Sequence, residues 1–176
     1  MATNRGFGFI NEGIYHVFNR GVERHPVFTN NKEYQRFVEA LWFYRFPQQL
    51  RLSFFLALSA SEQEAFRRSL VNQEENKSVT LLAYCLMPNH FHLIIRQNEE
   101  IGISTFIANV TNSYTKYFNT KHKRPGYLFQ GPFKAVRVET DEQLLHLSRY
   151  IHINPVVSGI IQAEMLSSYQ WSSLPE

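Results

Sequence analysis

Apolar and polar positions alternate in two rhythms along the chain, one of period two and one of period 3.6, and the order of the changes marks the elements. Residues 14–19, Ile14-Tyr15-His16-Val17-Phe18-Asn19, read as a strand, and Arg20-Gly21-Val22-Glu23-Arg24 as the polar loop that follows. From 32 to about 44, Tyr34, Phe37, Val38, Leu41 and Trp42 recur at helical spacing behind a capping Asn30 or Asn31. The stretch 46–77 is less regular. Ser61-x-x-Glu64 resembles a capping box for a helix lined by Ala65, Phe66, Leu70 and Val71, and Glu74-Glu75-Asn76-Lys77 reads as a solvated loop.

Two apolar runs, 79–87 and 91–96, then form neighbouring strands joined by Met87-Pro88-Asn89. A second amphipathic helix covers 101–119, with Ile103, Phe106, Ile107, Val110, Tyr114, Tyr117 and Phe118 on its buried side. After the basic turn 121–126, residues 127–129 and 133–138 make two short strands or an arm around Gly131-Pro132. Thr140 or Asp141 caps a third helix over 142–153, which Pro155 is expected to end.

The core order is βαββαβ, whose simplest arrangement is the ferredoxin-like α+β fold: an antiparallel sheet with both helices on one face. The last helix is an addition, free to carry function. At 176 residues the chain is read as a single domain over 1–176, with a flexible lead-in at 1–12, an insertion at 47–77 and a tail at 156–176 that carries Tyr169 and Trp171.

Composition narrows the class. No apolar run reaches membrane-spanning length and the start MATNRGFGF lacks a signal-peptide layout, so a cytoplasmic protein is expected, with no membrane partner. Cys85 is the only cysteine, which excludes an internal disulfide and suggests a buried, inert thiol. A net charge of +3 is mild. Its distribution is more telling, because Lys116, Lys121, Lys123, Arg124, Lys134, Arg137 and Arg149 share a region dense in Tyr and Phe.

Candidate chemistry starts at His90-Phe91-His92. On a strand the two imidazoles share one face while Phe91, Leu93 and Ile95 share the other, a simple way to hold a divalent metal with open positions. A His-x-His pair alone is a weak signal and needs further ligands. His16 interrupts the first strand and is either a neighbour of that pair or merely exposed. In the last helix His146, Tyr150 and Asn154 are spaced by four and stack on one face, with Leu144, Leu147, Ile151 and Leu145 holding the helix to the body. By itself that polar stripe is equally a solvated surface.

Four motifs recur in order over residues 15–156: Tyr15-His16-Val17-x-Asn19-Arg20-Gly21, His-hydrophobe-His after Met-Pro-Asn, a Gly126-x-Leu128-x-Gln130-x-x-Phe133-Lys134 arm, and Tyr150-Ile151-x-x-Asn154-Pro155-Val156. Together they resemble the REP-associated tyrosine transposases, single-tyrosine HUH endonucleases within the wider insertion-sequence transposases. The resemblance implies that His90 and His92 are paired metal ligands, that Tyr150 is the nucleophile, and that Asn154 completes the metal site where relatives often carry Gln. It departs from the pattern at Phe129, where Trp is common, at Pro132, where Arg is common, and in the length of 47–77.

The implied activity is metal-dependent endonuclease and strand-transfer chemistry on single-stranded DNA beside a palindromic hairpin, in DNA transposition and recombination. Ionising a free tyrosine at pH 7 costs about 4 kcal/mol, so the phenol needs help. Two imidazoles and an amide oxygen leave most of a cation's charge for the phosphate and suit octahedral Mg²⁺ or Mn²⁺ better than closed tetrahedral zinc. Attack by Tyr150 gives a 5′-phosphotyrosine and a free 3′-OH, which conserves the bond energy for rejoining. Tyr114 and Tyr117 compete for the role, but four residues beyond them stand Phe118 and Lys121, not an amide.

Arg20, Arg24, Lys121, Lys123, Arg124, Lys134, Arg137 and Arg149 are the candidate phosphate contacts, and Tyr127 and Phe129 the candidate stacking faces. Two other readings stay open: a catalytically silent hairpin-binding regulator, and a metal-dependent phosphodiesterase that uses water. The short Glu139-Thr140 link before the tyrosine helix favours a monomer with its site completed in cis over a homodimer.

Overall fold

The computed structural model describes residues 8–47, 50–72 and 74–175. Four strands form one antiparallel sheet in the order β2-β3-β1-β4: β1 (Ile14–Arg20), β2 (Val79–Met87), β3 (His90–Gln97) and β4 (Lys134–Val138). Two helices, α1 (Asn31–Phe43) and α4 (Gly102–Lys121), cover one face of it. This is the ferredoxin-like arrangement expected from the element order. Between α1 and β2 lie α2 (Leu52–Phe55) and α3 (Ala60–Val71), and α5 (Asp141–Val157) follows β4 directly.

The period-two pattern sorts the strands between two cores. On the α1/α4 side, Tyr15, Val17, Tyr84, Leu86, Phe91, Leu93 and Ile95 pack with Phe37, Phe106, Val110 and Tyr114. On the other side Ala83, Cys85, Met87 and Ile94 meet Ile151 of α5 and Tyr169, with Leu144 and Leu147 partly covered. Cys85 is buried, and burial pushes its thiol up to about 12, so it behaves as a small apolar side chain.

Several boundaries differ from the sequence reading. Ser59, not Ser61, opens α3: its side chain accepts from the Glu62 N–H while Glu62 returns a bond to the Ser59 N–H at 2.8 Å. Of the residues expected to line that helix, Phe66 and Leu70 pack inward but Val71 is exposed. The arm before β4 contributes a single bridge, Gly21 to Phe129, in place of a further strand. α5 does not stop at Pro155 but runs to Val157, because a proline this near the end removes only one N–H from the ladder while its ring is buried.

The lead-in at 1–12 falls partly outside the described residues. Its described part is pinned: Phe9 packs edge-on to Tyr15 at 4.8 Å and the Glu12 N–H donates to the Gln97 carbonyl at 2.7 Å. The tail lies along β2, where Leu86 N–H donates to the Trp171 carbonyl and Ser173 N–H to the Tyr84 carbonyl. Trp171 stacks on Tyr34 at 4.8 Å and the Tyr169 hydroxyl donates to the Leu86 carbonyl at 2.7 Å.

Candidate active site

The turn before His90 is held from outside the hairpin. The N–H groups of Val27 and Phe28 both donate to the Pro88 carbonyl, and that of Gly21 donates to the Asn89 carbonyl at 2.8 Å. Gly21 also lets the loop that follows fold tightly back on it, since a Cβ there would lie 2.2 Å from the His25 carbonyl oxygen. The Asn19-Arg20-Gly21 segment that closes β1 is therefore a buttress for the Met-Pro-Asn turn, which in turn aims His90.

His90, His92 and His16 stand together on the sheet face that α5 covers. His92 is buried and His90 half-buried, their ring centroids 5.1 Å apart and nearly perpendicular. Asn89 Oδ1 lies 2.6 Å from His90 Nδ1, so that nitrogen carries the proton and Nε2 keeps its lone pair. His16 Nε2 lies 2.8 Å from His92 Nδ1, and in the tautomer in which His92 Nδ1 donates to His16 the His92 Nε2 lone pair is free as a second ligand. Burial lowers all three pKa values, to about 4 at His16 and about 3 at His92, while the charge of Arg20 adds to the effect at His90. All three rings are neutral at pH 7, the form that binds metals.

α5 supplies the phenol. Thr140 caps it by accepting from the Gln143 N–H, and Ile151 anchors it to the sheet. Tyr150 is half-exposed, its ring 5.9 Å from that of His92 and edge-on to it. One turn later Asn154 is 7% exposed, and its buried Nδ2 has no hydrogen-bond partner. Nδ2 is a donor, so this orphan calls for an acceptor such as a phosphate oxygen. The donor types fit a divalent cation: two imidazole lone pairs and the Asn154 carboxamide oxygen, whose one protein partner is Ser158 Oγ at 3.4 Å. Among the described residues no group of three His, Cys, Asp or Glu could hold a metal, so further donors would be the amide, water or substrate.

A cavity of about 620 Å³ opens beside the histidines, lined by Arg20, Arg24, Lys134, Gln130 and Phe18 among others. Three of the sequence candidates for phosphate contact thus meet there, and Arg149 is exposed next to Tyr150. The rest are elsewhere. Lys121 is tied to buried Glu33 at 2.7 Å, Arg124 bonds Asn119 Oδ1 and the Tyr127 carbonyl, and Lys123 is an exposed turn residue. Arg137 pairs with Tyr15, which places it on the opposite face from the histidines. Tyr127 is fully open at 86% exposure, but Phe129 is buried against Phe91 and has no face for a base.

Leu145 and His146 are exposed and hold nothing to the body. Tyr114 is buried and donates to the Val27 carbonyl, with burial raising its pKa, while Tyr117 lies on α4 across the sheet. Sequence reasoning left His16 undecided and missed Asn89 and Gln130. His16 had one signal, its place on the same strand face as Phe18, but the register that sets it opposite Ile94, beside His92, is not written in either strand.

The model of one family, described as "Transposase IS200 like", matches residues 56–154, more than half the chain. No curated protein matches. Among solved structures, a REP-associated tyrosine transposase bound to a REP hairpin superposes with a TM-score of 0.67 at 15% identity, over 99% of this chain and 84% of that one. A candidate transposase from Deinococcus radiodurans R1 gives 0.44 at 15% identity, over 86% and 95%. The first shares the fold described above. No helix among the described residues is long and apolar enough to cross a membrane.

Proposed function

Since the chain belongs to the IS200-like transposase family, a family of DNA transposases, we propose that it cuts and rejoins single-stranded DNA through Tyr150. The observation that carries this reading is the Tyr150 ring set edge-on to His92 across the sheet face, with the buried Asn154 carboxamide one turn beyond. Enzymes of the family are generally metal-dependent. His90, His92 and Asn154 would hold the cation, Mg²⁺ or Mn²⁺, which when bound draws charge from the scissile phosphate.

The chain's own groups do the rest. Arg20, Arg24 and Lys134 attract the phosphodiester into the cavity, and α5 fixes the phenol for in-line attack. The Tyr150 oxygen forms a bond to phosphorus, the bond to the 3′-oxygen breaks, and the phenolic proton ends on the released 3′-OH. The products are a 5′-phosphotyrosine and a free 3′ end, and attack by another 3′-OH reverses the step. An unpaired strand can present a single phosphodiester to the Tyr150 phenol beside His92 and is the expected substrate. The Tyr150 ring meets His92 within one chain, which supports a site completed in cis.

The test incubates labelled hairpin DNA with flanking single strands and the protein with Mn²⁺ or Mg²⁺, then resolves products on denaturing gels. The hairpin probe follows from the DNA bound by the structural relative. A covalent adduct is expected, absent with EDTA and reduced at least 1000-fold in Tyr150→Phe. Cleavage that survives Tyr150→Phe refutes the tyrosine mechanism in favour of water attack, and tight binding with no cleavage indicates a regulator.

A further inference from the structure

Across the sheet from Tyr150, α1, α2 and α4 border a second cavity, of about 650 Å³. Every charged side chain in its lining is a cation: Arg36 from α1, Arg51 at the start of α2, and Lys116 and Lys121 from α4. Lys121 is already engaged by Glu33. Arg36 lies over the Tyr117 ring at 5.4 Å, and its buried Nε has no hydrogen-bond partner. Neither Arg51 nor Lys116 takes part in an ion pair among the described residues. Like charges gathered around one cavity repel unless an anion joins them.

The shape of the site says which anion. Asn109, Asn112, Ser113, Lys116 and Thr120 all line the cavity and fall at i, i+3, i+4, i+7 and i+11 along α4. At about 1.5 Å per residue that polar stripe is about 16 Å long. The stripe is several times longer than the axial rise of about 3.4 Å per phosphate of one strand, so it can accompany more than one phosphate of a backbone. A lone phosphate or a mononucleotide would use only part of it. We propose that this groove binds a run of DNA backbone remote from the scissile phosphate, as a sequence-independent second contact. Arg51 comes from the 47–77 insertion, which thereby acquires a role in substrate capture. The inference takes DNA as the substrate from the reading above but does not need Tyr150 to be the nucleophile.

Arg51→Glu with Lys116→Glu tests it, since both positions are exposed and the core is untouched; Arg51→Ala with Lys116→Ala serves as a milder pair if melting shows the first misfolded. Binding is measured by fluorescence anisotropy on a hairpin with long single-stranded flanks and on a minimal oligonucleotide that fills only the histidine site. The long DNA should bind at least tenfold more weakly, and the slope of log K against log salt should fall by about 1.4 to 1.8, two cations at about 0.7–0.9 each. Binding of the minimal oligonucleotide should be unchanged. Equal affinity and slope on long DNA overturn the proposal, as does a parallel loss on the minimal one. So does saturable binding of dATP that the variant loses while DNA binding persists. All these readouts are affinities, so a failure to see any covalent adduct leaves them interpretable.

Discussion

Glu33 shows how one side chain can be misjudged from its neighbours in sequence. It looks like an ordinary first-turn acid of α1, yet it is fully buried and accepts from Lys121 at 2.7 Å, from the Thr29 N–H at 2.7 Å and from Thr29 Oγ1, with His122 Nε2 at 2.8 Å. Burial alone would raise its pKa, but these partners outweigh it and hold the carboxyl at about 2, below its ordinary 4.5. A depressed folded pKa means that its stabilisation is complete above about pH 4.5 and fades as pH falls towards 2. Glu33→Gln should lose about 1–3 kcal/mol in urea melts at pH 7, and the gap to wild type should narrow between pH 4 and 3. The histidine pair was readable in the sequence because strand alternation is local. Lys121 was not separable from Lys134, because only the fold reveals that one faces a buried acid and the other the cavity.

At the scale of elements, the rhythms of 3.6 and two located every strand and every long helix, and erred where two local signals overlapped. In Ser59-Ala60-Ser61-Glu62-Gln63-Glu64 two capping boxes are written two residues apart. The structure uses the earlier one, which puts Phe66 and Leu70 of α3 against the body. Ser59→Ala should therefore cost about 1 kcal/mol and lower the thermal midpoint by a few degrees, while Ser61→Ala changes it little. Adduct formation should be unaffected in both, since α3 lies outside the histidine site. α5 was cut short for a related reason: proline is a strong stop signal in sequence, but burial of its ring here keeps the helix going to Val157.

The whole molecule is a sheet with a core on each face, and what joins the two is long-range. The tail illustrates this, since no sequence pattern shows that residues 169–173 return to β2 and bond to Tyr84 and Leu86. They shield one edge of the sheet, which would otherwise offer unpaired N–H and C=O groups to other chains. Tyr169→Phe removes the buried hydroxyl that donates to Leu86, and should cost about 0.5–1.5 kcal/mol in chemical denaturation.

Tyr150 and Asn154 ride on a single rod, one turn apart, while the imidazoles belong to the sheet. Phenol and amide therefore travel as one piece: a slip of one residue along that rod would rotate both by about 100° and take the Tyr150 ring away from His92. On the proposed chemistry, partial assembly has no intermediate form, and a strand once joined to the phenol is carried with it whenever the rod moves.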